Sequence, residues 1–443
     1  MKPKHYLALG LGLALSVTGL LAVNYGVKAQ RSAQALEDTY AYHLSETQEY
    51  LQSIVLKLAK TPLASDTDMQ VDLLSGISRQ ADGVVGGLSA LPLSHAAMSD
   101  TVAFCNQLSE YALRLALSAA AGETLGTDSV ERLNQLETQC TQLLGQFAAA
   151  RDTMLRQSLQ LSNQADAFYQ EASPDARPLE QLADSDNGME YPSMIYDGAF
   201  SDARHNGQPK ALGTALIDQR QAVDIACDFI GRNRVRQAEP SAQAGGAIPC
   251  YGVALTLTDG LILNAEVTQT GGHLLWIMPE NAAFESRLTL EKCIQKGQTF
   301  LKQNGYGDME ANHYQVYDGL AVINFVALQG GVLLYPDLVK VQMRMDTGEL
   351  VGLESNNYLM NHVRRNLEQP VLTRQQALER GGQRLQNATA RLCLIPYRDS
   401  ERLCFEIAGS YQEHEYRLYL DAVTGAQLEI LMMVDAPEGQ LAA

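Results

Sequence analysis

The sequence predicts an α + (α+β) chain: an N-terminal transmembrane helix, an antiparallel helical bundle, then three tandem modules of a helix plus an antiparallel sheet. Three observations predict it. Tyr6 to Val23 is an uncharged apolar run. From Arg31 to about Gln170 apolar residues recur at helical spacing. Beyond residue 190, a capped helix start followed by alternating strands occurs three times.

Composition sets the outer bounds. A chain of 443 residues has room for two to four domains, since domains run to ~100–200 residues. Its 33 Lys+Arg stand against 51 Asp+Glu, a net charge of −18. That balance argues against a nucleic-acid partner, because phosphate binding relies on clustered cations. It also argues against docking on anionic lipid through a basic face. An apolar fraction of 46% is enough for a real core and excludes bulk disorder.

The apolar run reads YLALGLGLALSVTGLLAV, 18 residues without a charge. As a helix it spans ~27 Å, close to the hydrocarbon thickness of a bilayer. Lys2 and Lys4 precede it, and Asn24, Tyr25, Lys28 and Arg31 follow. Residues 1–30 are therefore expected to be a signal-anchor, with the membrane crossed by residues 6–23 and the body exported. A cleaved signal peptide is the competing reading, with Val27-Lys28-Ala29 as its cleavage site. Pro240–Thr258 and Gly319–Pro336 are also uncharged, but turn residues break both. Gln329-Gly330-Gly331 in the second reads as a hairpin turn.

The bundle is expected over 31–170. Leu36, Tyr40, Leu44, Leu51, Val55 and Leu58 share one helical face. Leu74, Ile77, Ala81, Val84, Leu88 and Leu91 form a second, ended by Pro92. A third helix starts near Ser99-Asp100 and carries Cys105, Leu108 and Leu115. A fourth opens at Asp128 with Glu131 three residues on, and sets Leu133, Leu136, Cys140, Leu143 and Phe147 at heptad spacing. Residues 171–190 are polar and hold Pro174 and Pro178, which marks a linker. Its run Asp184-Ser185-Asp186-Asn187-Gly188 is one residue short of a calcium-loop spacing.

The remaining chain divides into modules at 191–285, 286–366 and 367–443. Asp218, Thr289 and Thr373 each cap a helix start and precede a small residue by four positions: Ala222, Cys293 and Ala377. These starts are offset by 71 and 84 residues. Strand-like runs follow each helix. Asp346-Thr347-Gly348 and the stretch from Asp421 to Thr424-Gly425 supply hairpin-turn chemistry. The first unit is expected to end at LLWIMPENA without a Thr-Gly turn.

Seven cysteines show no CxxC and no zinc-like spacing. Cys105, Cys140 and Cys227 sit on apolar helix faces, where burial explains them. Cys393 and Cys404 flank a hairpin turn expected at Arg398–Glu401. Whether they form a disulfide stays open.

The helix-then-strands module resembles the PepSY domain. LPLSHAAMSDTVAFCNQLSEYALRLA (91–116), EYPSMIYDGAFSD (190–202) and GGVLLYPDLVKVQMRMDTGELVGLESNNYLMNH (330–362), in that order after an apolar anchor, resemble the YpeB family of spore germination proteins of endospore-forming Firmicutes. The resemblance covers essentially the whole chain. It implies a protein of the spore envelope, anchored at the inner spore membrane, in peptidoglycan proximity. It implies a SleB-like cortex-lytic hydrolase as partner, each protein depending on the other in the dormant spore. Two departures stand out: the first repeat's missing Thr-Gly turn and a heavier use of cysteine.

No enzyme signature is present. GxSxG, HExxH and GxxxxGK[ST] are all absent, and the eight histidines are scattered. No catalytic residue, cofactor or metal is expected. The candidate interaction or inter-domain contacts are Pro92, His95, Tyr196, Asp197, Tyr358, His362, Arg364 and Arg365. Each has a plainer reading. Pro92 and His95 suit a helix stop, and Tyr196-Asp197 suit a turn. Tyr358, His362, Arg364 and Arg365 suit a solvated basic face in an acidic protein. Two functions follow: a non-enzymatic partner that stabilises, localises and restrains the hydrolase, or an extracytoplasmic sensor binding peptides or muropeptides through the modules.

Overall fold

The computed structural model describes residues 34–36, 38–91, 95–156, 200, 208–242, 248–280, 283–398, 400–436 and 439–442. The expected membrane helix, the linker 171–190, Pro92, Tyr196 and Asp197 lie outside them. Among the described residues no helix is long and apolar enough to cross a membrane. The chain forms two compact units. One is Met1–Pro62 with Thr67–Pro192, and the other is Leu63–Asp66 with Ser193–Ala443.

The first unit is helical: α1 (38–60), α2 (Thr67–Ala90), α3 (His95–Ala120) and α4 (Thr127–Arg156). The apolar stripes read from the sequence form its core. Leu51, Ile54, Leu58, Leu74, Ile77, Ala81, Val84, Leu133 and Cys140 have no exposed surface. Burying a side chain of that size contributes ~1.5–3 kcal/mol. Helix α2 carries glycines on the side facing α1. A Cβ at Gly87 would lie 2.0 Å from Thr47 Oγ1, and one at Gly83 would lie 2.8 Å from the Tyr50 ring. Between α2 and α3 the buried hydroxyls of Ser78 and Ser109 satisfy each other at 2.9 Å.

In the second unit a helix followed by four antiparallel strands occurs three times. The first set is α5 (Gln219–Ile230), β1 (Val235–Ser241), β2 (Cys250–Leu257), β3 (Ile262–Thr268) and β4 (Leu274–Pro279). The second is α6 (Leu290–Gln303), β5 (Met309–Tyr317), β6 (Leu320–Gln329), β7 (Val332–Arg344) and β8 (Leu350–Glu354), followed by the short α7 (Asn356–Asn361). The third is α8 (Arg374–Gly381), β9 (Gln386–Tyr397), β10 (Ser400–Tyr411), β11 (His414–Asp421) and β12 (Gln427–Ala436), with β13 (Gly439–Ala442) last. Asp218, Thr289 and Thr373 cap the three helices, each accepting from a backbone N–H three residues on.

Each helix lies close on its sheet because its inward positions are small. Ala222, Cys293 and Ala377 have no exposed surface. One turn later stand Ala226, Gly297 and Gly381. A Cβ on Gly297 would come to 3.0 Å of Phe325, and one on Gly381 to 2.7 Å of Leu420.

Three expectations need correction. The first repeat does carry a Thr-Gly turn: Thr270-Gly271 joins β3 to β4. LLWIMP is the fourth strand of this repeat, so the turn precedes it rather than follows it. Thr270, Thr347 and Thr424 are each 77 residues apart, a more regular period than the helix starts show. All three turns receive the helix residue seven positions after the cap. Ile225 lies against Gly272, while Lys296 Nζ and Arg380 donate to the Thr347 and Thr424 carbonyls at 3.4 and 3.5 Å. Second, β1 was not anticipated. It is an edge strand bearing Arg236, Glu239 and Pro240, residues that mask a sheet edge rather than advertise a strand. Third, the run QQALERGGQRLQN (375–387) has the pattern of one amphipathic helix, yet α8 ends at Gly381. Two consecutive glycines, Gly381 and Gly382, stop it.

The strands join one sheet, ordered β1-β2-β3-β4-β8-β7-β6-β5-β13-β12-β11-β10-β9. Strand β7 also pairs in parallel with β9 through Leu333–Cys393 and Leu334–Leu394. That pairing closes β5, β6, β7 and β9 to β13 into a ring. Gln329-Gly330-Gly331 forms the β6–β7 turn, as the sequence indicates.

Candidate functional site

The basic stretch after β8 is folded back onto β7. The ladder between β6 and β7 pairs Val326 with Leu338 but Ala327 with Leu334, so residues 335–337 bulge out. Pro336 has no N–H to offer the ladder, which suits it to this break. Asp337 in the bulge has no exposed surface. His362 Nδ1 lies 2.7 Å from its Oδ2, and the two terminal nitrogens of Arg365 donate to it at 2.9 and 2.8 Å. Arg365 also donates to both Glu401 oxygens on β10, at 2.8 and 2.7 Å. Burial alone lowers its pKa, but the hydrogen bonds to Glu401 and Asp337 outweigh that and raise it.

The backbone holds the same clasp. The Gln329 amide brackets Arg365, donating to its carbonyl at 2.7 Å and accepting from its N–H at 3.0 Å. Asn361 Nδ2 donates to the Pro336 carbonyl at 3.1 Å. Tyr358 stacks on His362 with ring centroids 4.2 Å apart. Burial, then the Asp337 charge, pushes its hydroxyl up to about 12. The arrangement locks the end of the second repeat to the first hairpin of the third.

A second polar group fills the ring interior. Glu406 on β10 is 2% exposed. The Tyr335 hydroxyl on β7 donates to it, as do Tyr419 on β11 at 3.1 Å and Arg391 Nε on β9 at 2.9 Å. Arg391 also pairs with Glu310 on β5. Strands β5 and β9 are not neighbours in the ring, so this contact crosses its interior. Burial, then the Glu406 charge, raises both tyrosine hydroxyls. A fully satisfied network of this kind rigidifies the strands that carry it.

The structure brings together Tyr358, His362 and Arg365, while Arg364 is exposed beside them. His95 begins α3, and its side chain lies outside the description. Sequence reasoning missed Asp337, Glu401, Glu406, Tyr335 and Tyr419. Asp337 left one signal, a lone carboxylate in the otherwise apolar run VLLYPDLV. Cys393 and Cys404 are directly opposed on β9 and β10, with both thiols free. Burial raises both, Cys404 to about 12, so neither is a thiolate nucleophile at neutral pH. Among the described residues no three His, Cys, Asp or Glu side chains cluster as a metal site.

Two family models match the chain. One, described as YpeB sporulation, PepSY1 and PepSY2 domains, matches residues 180–368. The other, YpeB N-terminal, matches residues 28–163. A protein of Halalkalibacterium halodurans named sporulation protein YpeB is 24% identical over 436 residues, 95% of this chain and 97% of that protein. The Bacillus subtilis protein of the same name is 25% identical over 178 residues, 40% of each chain. Among solved structures, the Bacillus megaterium YpeB C-terminal domain matches 50% of this chain and 99% of its own, with 23% identity and a TM-score of 0.46.

Proposed function

The chain belongs to the YpeB sporulation family, and from that premise we propose that it is a non-enzymatic partner of a SleB-like cortex-lytic peptidoglycan hydrolase. It stabilises, localises and restrains that hydrolase in the dormant spore and is needed for cortex breakdown at germination. Residues 6–23 anchor it at the inner spore membrane, and residues 367–443 act as a third PepSY-like module. The observation that carries this reading is the end-to-end likeness, 436 residues in one alignment to a sporulation protein.

The described residues support a holding role over a chemical one. Their strongest polar groups, Asp337 with Arg365 and Glu406 with Arg391, are spent on each other. A protein that binds the folded hydrolase shifts the hydrolase's folding equilibrium and shields it from proteolysis by mass action.

The test is a deletion of this gene in its sporulating host. The hydrolase is measured by immunoblot in dormant spores, and cortex fragments are measured after germinant. Loss of hydrolase with a persistent cortex is expected. Normal hydrolase and normal cortex release would reject the partnership.

A further inference from the structure

Cys393 and Cys404 are set directly opposite each other on β9 and β10. The other five thiols stand apart from them, on α3, α4, α5, β2 and α6. Opposed residues of an antiparallel ladder project from one face, with Cα atoms ~4.5–5.5 Å apart. That spacing falls inside the ~4.4–6.8 Å window that a disulfide needs. Cys404 lies two residues before Glu406, and Cys393 two after Arg391, so both point into the ring interior. Neither has exposed surface, and both belong to one apolar cluster with Tyr335 and Tyr419. A thiolate at Cys404 would push the Cys393 thiol up further, which puts the two sulfurs within electrostatic reach.

Packing does not call for two matched sulfurs at this rung. Counted from the hairpin turn, the same rung of β5 and β6 in the second repeat sets His313 opposite Asn324, both buried. The place is also mechanically special. Cys393 pairs with Leu333 of β7 in the contact that closes the ring. The stretch between the two cysteines carries Glu401, which Arg365 grips.

We propose that Cys393 and Cys404 are a disulfide site, and that the bond, made as the β9–β10 hairpin folds, staples the seam of the ring. The structure shows the reduced form. The oxidant is a small-molecule disulfide. One cysteine thiolate attacks it, its sulfur–sulfur bond breaks, and one thiolate leaves and takes up a proton. The second cysteine thiolate then attacks the mixed disulfide and expels the other thiolate. Two protein thiols are oxidised and one disulfide is reduced to two thiols. In the closed ring burial keeps both cysteines protonated, so oxidation precedes closure and reduction awaits opening. The inference does not depend on the sporulation role.

The test refolds the reduced, detergent-solubilised full chain in a buffer of reduced and oxidised glutathione. Remaining thiols are then trapped with N-ethylmaleimide in denaturant. Trypsin places the two cysteines on separate peptides, LCLIPYR (392–398) and LCFEIAGSYQEHEYR (403–417). Mass spectrometry is expected to find these joined, with the other five cysteines alkylated. The oxidised chain should melt about 3–6 °C above the reduced one, a gap that Cys393→Ala/Cys404→Ala removes. Dithiothreitol should cleave the bond at least tenfold more slowly in native buffer than in urea. Should the chain aggregate on refolding, export to a bacterial periplasm supplies the oxidising route, with the same trapping. The proposal is overturned if both cysteines emerge alkylated, if either is joined elsewhere, or if the oxidised chain is no more stable than the reduced one.

Discussion

Asp337 carries a charge with no exposed surface, a costly arrangement unless partners and hydrogen bonds offset the lost water. His362 and the forked Arg365 guanidinium supply them. Arg365→Ala would leave Asp337 with His362 alone and Glu401 without its cation. Breaking a buried pair in this way costs ~3–5 kcal/mol. Arg365→Lys restores the charge but not the fork, so it is expected to recover part of that loss. Urea unfolding of the three proteins checks the order. A loss for Arg365→Ala no larger than that of an exposed control such as Arg364→Ala would show that the clasp is idle.

At the scale of elements, close approach decides more than side-chain chemistry. Helices α1 and α2 come together where Gly87 faces Thr47, and an added Cβ would lie 2.0 Å from Thr47 Oγ1. Gly87→Ala is expected to destabilise the chain by ~1–3 kcal/mol despite alanine's better helix propensity. Combining it with Thr47→Ala removes the obstructing hydroxyl. The double variant should then be less destabilised than the two single losses added together. Strict additivity in thermal unfolding would place the strain elsewhere.

The same contrast explains what could be read without coordinates. The bundle was legible because its stripe residues, from Leu51 to Phe147, repeat every three or four positions and are buried where that period puts them. The three caps and the small residues four positions on were legible for the same local reason. Strand β1 was not, because an edge strand is built from residues that discourage pairing. Nor were Glu406 and Asp337. Their partners lie far along the chain, Tyr335 on another strand and Arg365 beyond a turn and a helix. Tyr358, His362 and Arg365 read as a basic patch in the sequence, and nothing local to them signals the internal carboxylate of Asp337 that holds His362 and Arg365.

At the scale of the whole molecule, hydroxyls and thiols held out of water tie stability to alkaline pH. Tyr306 and Tyr358 are pushed up to about 12 from 10.0, and Cys404 to about 12 from 9.0, in each case chiefly by burial. A group whose folded pKa lies above its unfolded value keeps its proton longer in the folded state. Its stabilising contribution is complete below the unfolded pKa and is lost as pH rises toward the folded one. Stability is therefore expected to be insensitive to these groups up to pH 9. It should then fall between pH 9 and 12, through thiols first and tyrosines next. Thermal midpoints across that range, read beside phenolate absorbance, check this. The buried tyrosines should ionise only as the fold is lost, in a step later than that of the exposed ones. If all 19 tyrosines titrate together near pH 10 with the circular dichroism unchanged, the interior is open to water.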